Sequence, residues 1–267
     1  MFTADSRTLG RIAPVVRRVV IVDPNPSAAR LLTDIVKGFG AREVYVEAGE
    51  DLAMELIRDV EPGLIFTEQS GQALSGESLA RKVRRSHMSC RTAPIIMVTA
   101  EATAATIRGA RDAGVHEFLR KPFTTGDLFK RVENVALKPR PWVEAVGYVG
   151  PDRRRFNSGE YSGARKRRGD ANAGSVVDVR DQATRILVAA MAQFDQDPMQ
   201  AVRAIRQQAE TLKGLAVRTA DAKLAIAAAA LEGYLASGAP SKAGLAQPIG
   251  AILSLNPQAQ APQARTG

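Results

Sequence analysis

Short β-branched runs alternate with longer stretches of helical period between residue 17 and about residue 137, and this alternation constrains the fold more than any other feature. The pattern is typical of βα units that build a parallel sheet. The first, third and fourth runs are almost wholly apolar, as expected for central strands that helices cover on both faces. We therefore predict that residues 17–137 form an α/β domain with a five-stranded, parallel, doubly wound sheet. The strands are predicted at residues 19–23, 43–48, 64–68, 94–99 and 116–121.

The remainder of the chain divides into a linker and a helical domain. Residues 138–176 are basic and rich in Pro, Gly, Ser and Arg, which is typical of a linker. Apolar residues recur with a helical period over 177–255, which predicts an α domain resembling a four-helix bundle. Pro248 must start or kink the fourth helix. We predict an N-terminal tail at 1–16 and a disordered tail at 256–267.

The cysteine and histidine counts exclude several kinds of site. The chain has 267 residues and a formal net charge of +9, with one cysteine and two histidines. Cys90, His87 and His116 are too few for a disulfide framework or a Cys/His zinc site, so we predict an inert thiol and structural histidines. No apolar run approaches the length of a membrane span, and the first residues lack a secretory signal. These features predict a cytoplasmic protein without membrane insertion.

Polar side chains stand at the ends of four predicted strands. Asp23, Glu68, Thr99 and Lys121 lie at or just after the carboxyl ends of the first, third, fourth and fifth strands. In a doubly wound sheet the chemistry collects at these ends. We therefore expect two acids, a hydroxyl and an ammonium group to converge there.

This set resembles the receiver domain of bacterial response regulators, which has a flavodoxin-like or CheY-like fold. The resemblance includes VTA at 98–100, KPF at 121–123 and a Ser-Gly turn at 75–76. It implies that a histidine kinase donates a phosphoryl group to an aspartate at the end of the third strand. It also implies a metal held by that aspartate and a pair of acids after the first strand. This chain has Glu68 at the acceptor position and Pro24 in place of the second acid.

Both departures affect the chemistry and predict a pseudo-active site. Because Pro24 replaces a carboxylate, we expect no cofactor and no metal site, with Asp23 binding Mg²⁺ weakly at most. Glu68 carries its carboxylate about 1.5 Å further into the pocket than an aspartate would. Asp23, Glu68 and Lys121 then form either a satisfied charge cluster or a mimic of the phosphorylated state. In the family the threonine couples to an aromatic residue on the fifth strand; Phe118 matches this switch position, and it could equally be core.

The helical domain carries a second resemblance. Residues 209–216, AETLKGLA, resemble the motif of the histidine phosphotransfer domain, a four-helix bundle, but Glu210 stands where the family has its phosphate-carrying histidine. Helical spacing places Glu210 beside Arg206, Lys213 and Gly214 on an exposed stripe. This stripe is either a phosphotransfer-like docking surface or an ordinary set of helix-surface ion pairs.

Loss of both phosphate-carrying residues predicts a signalling adaptor that is not an enzyme. It would bind a histidine kinase or other two-component proteins without transferring phosphate. One alternative is an active response regulator. The other is that the linker binds a cyclic dinucleotide or nucleic acid, with Tyr148, Phe156 and Tyr161 stacking on bases. The anion-binding candidates are Arg153, Arg154, Arg155, Arg165, Arg167 and Arg168.

Overall fold

The computed structural model describes residues 5–153 and 176–255. Within these ranges the chain forms two compact units. The N-terminal unit comprises residues 5–143 and 148–153, and the C-terminal unit comprises residues 144–147 and 176–255. The tail predicted at 256–267 lies outside the described residues.

The N-terminal unit follows the predicted alternation of strands and helices. Its elements through residue 137 are α1 (Ser6–Val16), β1 (Arg18–Val22), α2 (Pro26–Gly38), β2 (Glu43–Glu47), α3 (Glu50–Val60), β3 (Leu64–Glu68), β4 (Ser70–Gly71), β5 (Leu74–Ser75), α4 (Gly76–Arg85), a 3₁₀ turn (Ser89–Thr92), β6 (Ile95–Thr99), α5 (Ala104–Asp112), β7 (Glu117–Arg120) and α6 (Thr125–Leu137).

Five parallel strands form the sheet in the order β2-β1-β3-β6-β7. The three almost wholly apolar strands, β1, β3 and β6, lie at its centre, where the side chains of residues such as Ile21, Phe66 and Ile96 are fully buried. The α/β prediction is therefore confirmed. The strand order reverses between β1 and β3, which places the carboxyl ends of these strands beside a crevice of the kind that holds ligands in doubly wound folds.

Helices cover both faces of the sheet. Helices α2 and α6 contribute Leu32 and Val132 to the core on one face. Helices α3 and α4 contribute Ile57 and Val83 to the core on the other face, together with Ala110 of α5. The strands therefore bury side chains on both faces, which is why their sequences are apolar runs rather than alternating patterns.

The predicted N-terminal tail contains a helix, α1. Ile12 and Val16 of α1 are fully buried in the core that α2 and α6 also line. The N-cap Asp5 accepts a hydrogen bond from the Arg7 backbone N–H at 3.3 Å. Sequence analysis missed this helix because Gly10 and Pro14 interrupt its helical pattern.

Substitution of Gly63 by alanine is expected to destabilise the N-terminal unit by about 1–3 kcal/mol. A Cβ at this position would stand 2.4 Å from the Val15 carbonyl oxygen at the end of α1. Urea unfolding followed by the fluorescence of Trp142, the single tryptophan, measures the effect. Gly10→Ala is the control, because a Cβ at Gly10 has no neighbour within 4 Å and alanine favours helix. A Gly63→Ala midpoint equal to that of the native protein would contradict the close approach of α1.

Residues 138–176, predicted as a linker, begin with a small two-stranded sheet. It consists of β8 (Trp142–Ala145) and β9 (Tyr148–Pro151), and β9 packs against α4. Tyr148 and Val149 are buried. Residues 154–175 of the predicted linker lie outside the described residues.

The C-terminal unit is helical, as predicted. Its four described helices are α7 (Val176–Gln193), α8 (Pro198–Thr219), α9 (Ala222–Ala236) and α10 (Lys242–Ser254). Consecutive helices pack together and α10 also contacts α7, around a core that contains Leu187, Leu212, Leu231 and Leu245. Pro248 lies inside α10, and the helix continues through it. Among the described helices of both units, none has the length and hydropathy that crossing a membrane requires.

Candidate functional site

The carboxyl end of β1 places Asp23 at the edge of the sheet. Asp23 is only 3% exposed, and its backbone N–H donates to the Glu47 carbonyl at 3.0 Å. Its carboxylate Oδ1 accepts a hydrogen bond from the Asn25 backbone N–H at 2.8 Å. The strand end and the following turn therefore hold this acid in one orientation.

Lys121 connects the two acids of the cluster. Its Nζ donates to Glu68 Oε2 at 2.5 Å and to Asp23 Oδ2 at 3.1 Å. Burial alone would lower the pKa of Lys121, but the hydrogen bonds and negative charges of Glu68 and Asp23 outweigh it, and the pKa is raised. Lys121 is therefore a stable cation between two carboxylates that follow β1 and end β3.

The second oxygen of the Glu68 carboxylate is also occupied. Glu68 Oε1 accepts the backbone N–H of Gln69 at 2.8 Å, and the side chain is 13% exposed. Each carboxylate oxygen of Glu68 thus has a donor. An acid whose oxygens both accept hydrogen bonds, one of them from an ammonium group, is held firmly in its pocket.

Thr99 bonds to a residue that sequence analysis did not single out. Its hydroxyl Oγ1 donates to the side-chain Oε1 of Gln69 at 3.2 Å and accepts the Glu101 backbone N–H at 3.2 Å. Thr99 is therefore linked to Glu68 only through its neighbour Gln69. The one available signal was that Gln69 directly follows the acid at the end of β3.

A short hairpin lies against Pro24, the residue in place of the second acid. The hairpin consists of β4 and β5, which pair antiparallel after β3. A Cβ on Gly71 would stand 2.5 Å from Pro24 Cγ, so the hairpin backbone contacts the proline ring directly. A proline ring packed beneath this backbone offers no oxygen to the site.

The residues present do not fit the magnesium ion that the resemblance implies. Mg²⁺ requires near-octahedral oxygen ligands, several from carboxylates. Here the ammonium group of Lys121 bonds to both acids, and Pro24 supplies no ligand. In the described ranges 5–153 and 176–255, no group of three or more His, Cys, Asp or Glu side chains could hold a metal.

Phe118 belongs to the core that α3, α4 and α5 cover. It is 3% exposed and pairs in register with Met97. It also forms part of the wall of a groove of about 470 Å³ between α5, β7 and α6. The groove is lined by Ala102, Ile107, Phe118, Leu119, Arg120, Pro122, Phe123, Asp127, Lys130, Arg131 and Asn134.

The C-terminal unit presents Glu210 on its surface. Arg206, Lys213 and Gly214 are exposed on the same side of α8, while Ala209, Leu212 and Ala216 of the same motif are buried. The ion pairs considered for Glu210 are not formed among the described residues. Lys213 Nζ bonds to Glu232 Oε2 at 2.6 Å, and Arg206 Nη2 donates to the Leu235 carbonyl at 3.4 Å. The partners come from α9 because that helix packs beside α8.

The described residues of the linker have structural contacts. Arg153 bonds to Asp112 at 3.1 Å and stacks over the Tyr148 ring at 4.5 Å. The Tyr148 hydroxyl donates to the Pro151 carbonyl at 2.6 Å, and burial raises the pKa of Tyr148 to about 12. The idea that Tyr148 stacks on bases is therefore wrong, because its ring is enclosed. The other candidates, Arg154, Arg155, Arg165, Arg167, Arg168, Phe156 and Tyr161, lie outside the described residues.

Cys90 has the environment of a structural thiol. It is 8% exposed, and its Sγ donates to the Ile57 carbonyl at 3.5 Å. Burial raises the pKa of Cys90, so the thiol form is favoured.

Comparison with known proteins identifies relatives of the N-terminal unit. Residues 19–133 match the family described as response regulator receiver domain. The DNA-binding response regulator MtrA of Mycolicibacterium smegmatis is 26% identical over 116 residues, which are 43% of this chain and 49% of MtrA. The chemotaxis protein CheY1 of Helicobacter pylori is 28% identical over 119 residues, 44% of this chain and 95% of CheY1. The chain thus spans about half the length of MtrA. The structure of the Vibrio cholerae chemotaxis response regulator CheY4 aligns with a TM-score of 0.41 and 21% identity, covering 45% of this chain and 98% of CheY4.

Proposed function

Because residues 19–133 are a response regulator receiver domain, we propose that this protein is a two-component signalling adaptor that binds phosphorelay partners and carries no phosphate itself. In this proposal the chain is not an enzyme, and its partners are histidine kinases or other two-component proteins. The observation that carries the proposal is the double hydrogen bond of Lys121 Nζ to Glu68 and Asp23.

A phosphoryl acceptor needs a carboxylate oxygen that can attack phosphorus. Glu68 has one oxygen bonded to Lys121 and the other to the Gln69 backbone N–H. Freeing either oxygen leaves a largely buried charge without its partner, which costs several kcal/mol. Pro24 also removes a ligand from the metal that would neutralise the incoming phosphate. The site supports a fixed charge cluster rather than group transfer.

Two surfaces are proposed to contact partners. On the N-terminal unit, the groove between α5, β7 and α6 combines the apolar ring of Phe123 with the exposed cations Arg120 and Lys130. On the C-terminal unit, the exposed stripe around Glu210 is a phosphotransfer-like surface on which a carboxylate replaces the imidazole. A glutamate there permits docking and gives no comparable labile phosphate.

Phosphorylation with the full chain tests the proposal. The protein is incubated with Mg²⁺ and either acetyl phosphate or an autophosphorylated histidine kinase, and label on the chain is measured. We expect no label on the native protein and acid-stable, base-labile label on the double variant Pro24→Asp/Glu68→Asp. The single variant Glu68→Asp is the control that retains the incomplete metal site, and we expect it to acquire far less label. Label on Glu68, or elsewhere in 17–137 of the native protein, would establish an active response regulator instead.

Competition separates an adaptor from an inert relative. Excess native chain is expected to slow phosphotransfer from a kinase to a genuine receiver, because both occupy the same docking surface. The variant Arg120→Glu/Lys130→Glu is expected to lose this inhibition while retaining its fold by circular dichroism. Absence of inhibition across a panel of kinases and phosphotransfer domains would refute the adaptor role.

Anion binding by the linker is the alternative proposal for partners. It depends on the arginines at 154–168, whereas Arg153 is paired within the N-terminal unit. Titration of a labelled cyclic dinucleotide or RNA at low and high salt, with Arg153, Arg154 and Arg155 replaced by alanine, tests it. Salt-sensitive binding that the substitutions abolish would support this function.

A further inference from the structure

The C-terminal unit contains an apolar groove at the start of α8. The groove has a volume of about 310 Å³ and lies between the first turns of α8 and the turn that connects α9 to α10. It is lined by Pro198, Met199, Val202, Arg203, Arg206 and Pro240. None of the residues that sequence analysis singled out lies here except Arg206.

The walls of the groove are held in place by capped helix ends. The carboxylate of Asp197 accepts the Gln200 backbone N–H at 3.0 Å and starts α8. The Ser241 hydroxyl accepts the Gly244 backbone N–H at 3.1 Å and starts α10 directly after Pro240. Proline rings have fixed backbone angles, so these walls lose little conformational freedom when a ligand binds. The groove is therefore largely preformed.

The floor exposes an apolar side chain that can adapt to a ligand. Met199 is 56% exposed, an unusual amount for a large apolar residue. Its unbranched thioether can adjust to different apolar shapes, as methionines do at many binding surfaces. Exposed apolar surface rimmed by polar groups is typical of interaction sites.

The polar part of the groove is cationic. Both of its charged lining residues, Arg203 and Arg206, are arginines. Arg206 donates one bond to the Leu235 carbonyl, and a guanidinium has five N–H donors. The neighbouring acids are engaged: Asp197 caps α8, and Asp195 pairs with Lys242. The groove thus presents guanidinium groups toward an incoming ligand without a lining carboxylate.

We propose that this groove binds an acidic segment of a partner protein in which an aliphatic side chain lies between carboxylates. The aliphatic side chain packs on Met199 and Val202, and the carboxylates pair with Arg203 and Arg206. A single-stranded nucleic acid fits less well, because no aromatic side chain lines the groove for base stacking. The proposal goes beyond the adaptor function and does not depend on the state of Glu68.

Fluorescence anisotropy with the full chain tests the proposal. The probe is a labelled peptide of about 12 residues in which leucines repeat at helical spacing between glutamates. Two matched peptides replace the leucines by serine or the glutamates by lysine. We expect saturable binding of the first peptide and at least about tenfold weaker binding of the other two, equivalent to about 1.4 kcal/mol.

Matched protein variants locate the binding site. Met199→Glu and Arg206→Glu are each expected to weaken binding of the leucine–glutamate peptide at least about tenfold. Val217→Glu is the control, because Val217 is an exposed apolar residue of the same helix that lies outside the groove, and it should change binding less than about twofold. Circular dichroism checks that each variant folds.

Several outcomes would overturn the proposal. Equal binding of the serine peptide would show that charge alone acts, without the groove. Equal weakening by Val217→Glu would place the binding elsewhere. Absence of saturable peptide binding would refute it, as would a single-stranded RNA or anionic vesicle that binds in an Arg206-dependent manner while the peptide does not.

Discussion

Replacing Arg84 by methionine is expected to lower the free energy of unfolding of the N-terminal unit by about 3 kcal/mol. Arg84 is fully buried on α4 and acts as a hydrogen-bond donor to three carbonyls. Its Nε donates to Gly114 at 2.9 Å, and its Nη1 donates to Arg91 at 2.7 Å and to Ala93 at 2.8 Å. Methionine fills much of the volume but leaves these buried carbonyl oxygens without donors, at a cost of at least about 1 kcal/mol each.

The same side chain also supports the segment beyond the family match. The Arg84 guanidinium lies 5.3 Å from the centroid of the Trp142 ring at the start of β8. Burial lowers the pKa of Arg84 to about 9, which still leaves it charged at neutral pH. Loss of the guanidinium is therefore expected to loosen β8 and β9 in addition to destabilising the sheet.

Hydrogen exchange of the central-strand amides measures the Arg84 effect on the N-terminal unit alone. Arg81→Met is the matched control on the same helix, because Arg81 is exposed and pairs only with Glu77 one turn away. We expect the control to change stability by less than about 0.5 kcal/mol. An Arg84→Met protein within this margin of the native stability would contradict the role assigned to the buried guanidinium.

Acidification below about pH 6.5 is expected to destabilise the N-terminal unit by up to about 1.4 kcal/mol per pH unit through His116. Burial, and then the charges of Arg84 and Arg140, lower the pKa of His116 well below its ordinary value. In the native protein its Nδ1 lies 3.0 Å from Arg84 Nη2 and 3.3 Å from the Ile95 backbone nitrogen, and a neutral ring can accept both bonds. Protonation would remove this acceptor and place a third cation beside two arginines.

The direction of the pH effect follows from proton binding. The unfolded chain takes up a proton on His116 as the pH falls through about 6.5, whereas the folded chain does not until a lower pH. The contribution to stability is thus fully present above about pH 6.5 and is lost progressively below it. Melting temperatures between pH 7.5 and 5.5 measure this loss in a range where carboxylates remain mostly ionised.

A histidine-free position provides the comparison. His116→Asn is expected to be less stable at pH 7.5 and to have a flatter pH profile over the same range. His87→Asn is the control, since His87 is exposed, and its profile should match that of the native protein. A native-like slope in His116→Asn would assign the pH dependence to another group.

Much of the architecture could be predicted from local sequence pattern. Apolar runs identified β1, β3 and β6 as central strands because only strands covered on both faces are apolar throughout. The helical period of the C-terminal unit predicted buried positions such as Leu212 and Leu231, which lie in its core. The helix α1 and the sheet of β8 and β9 were not predicted. Their stability comes from docking onto other elements, and a short segment does not encode its docking site.

The sequence by itself determined which chemical groups meet at the sheet edge. Asp23, Glu68 and Lys121 end or follow strands of one parallel sheet, so their convergence follows from the topology of a doubly wound fold. The missing second acid and the missing aspartate were equally visible in the residue types. These facts depend on strand order and residue identity alone.

Only the tertiary structure decided how these groups pair. It shows that Gln69, rather than Glu68, bonds to the Thr99 hydroxyl, and that the Gly71 backbone packs on Pro24. It likewise pairs Lys213 with α9 instead of Glu210. The physical reason is that a hydrogen bond depends on distances of a few tenths of an ångström, which are set by side-chain rotamers and by packing between segments far apart in the chain.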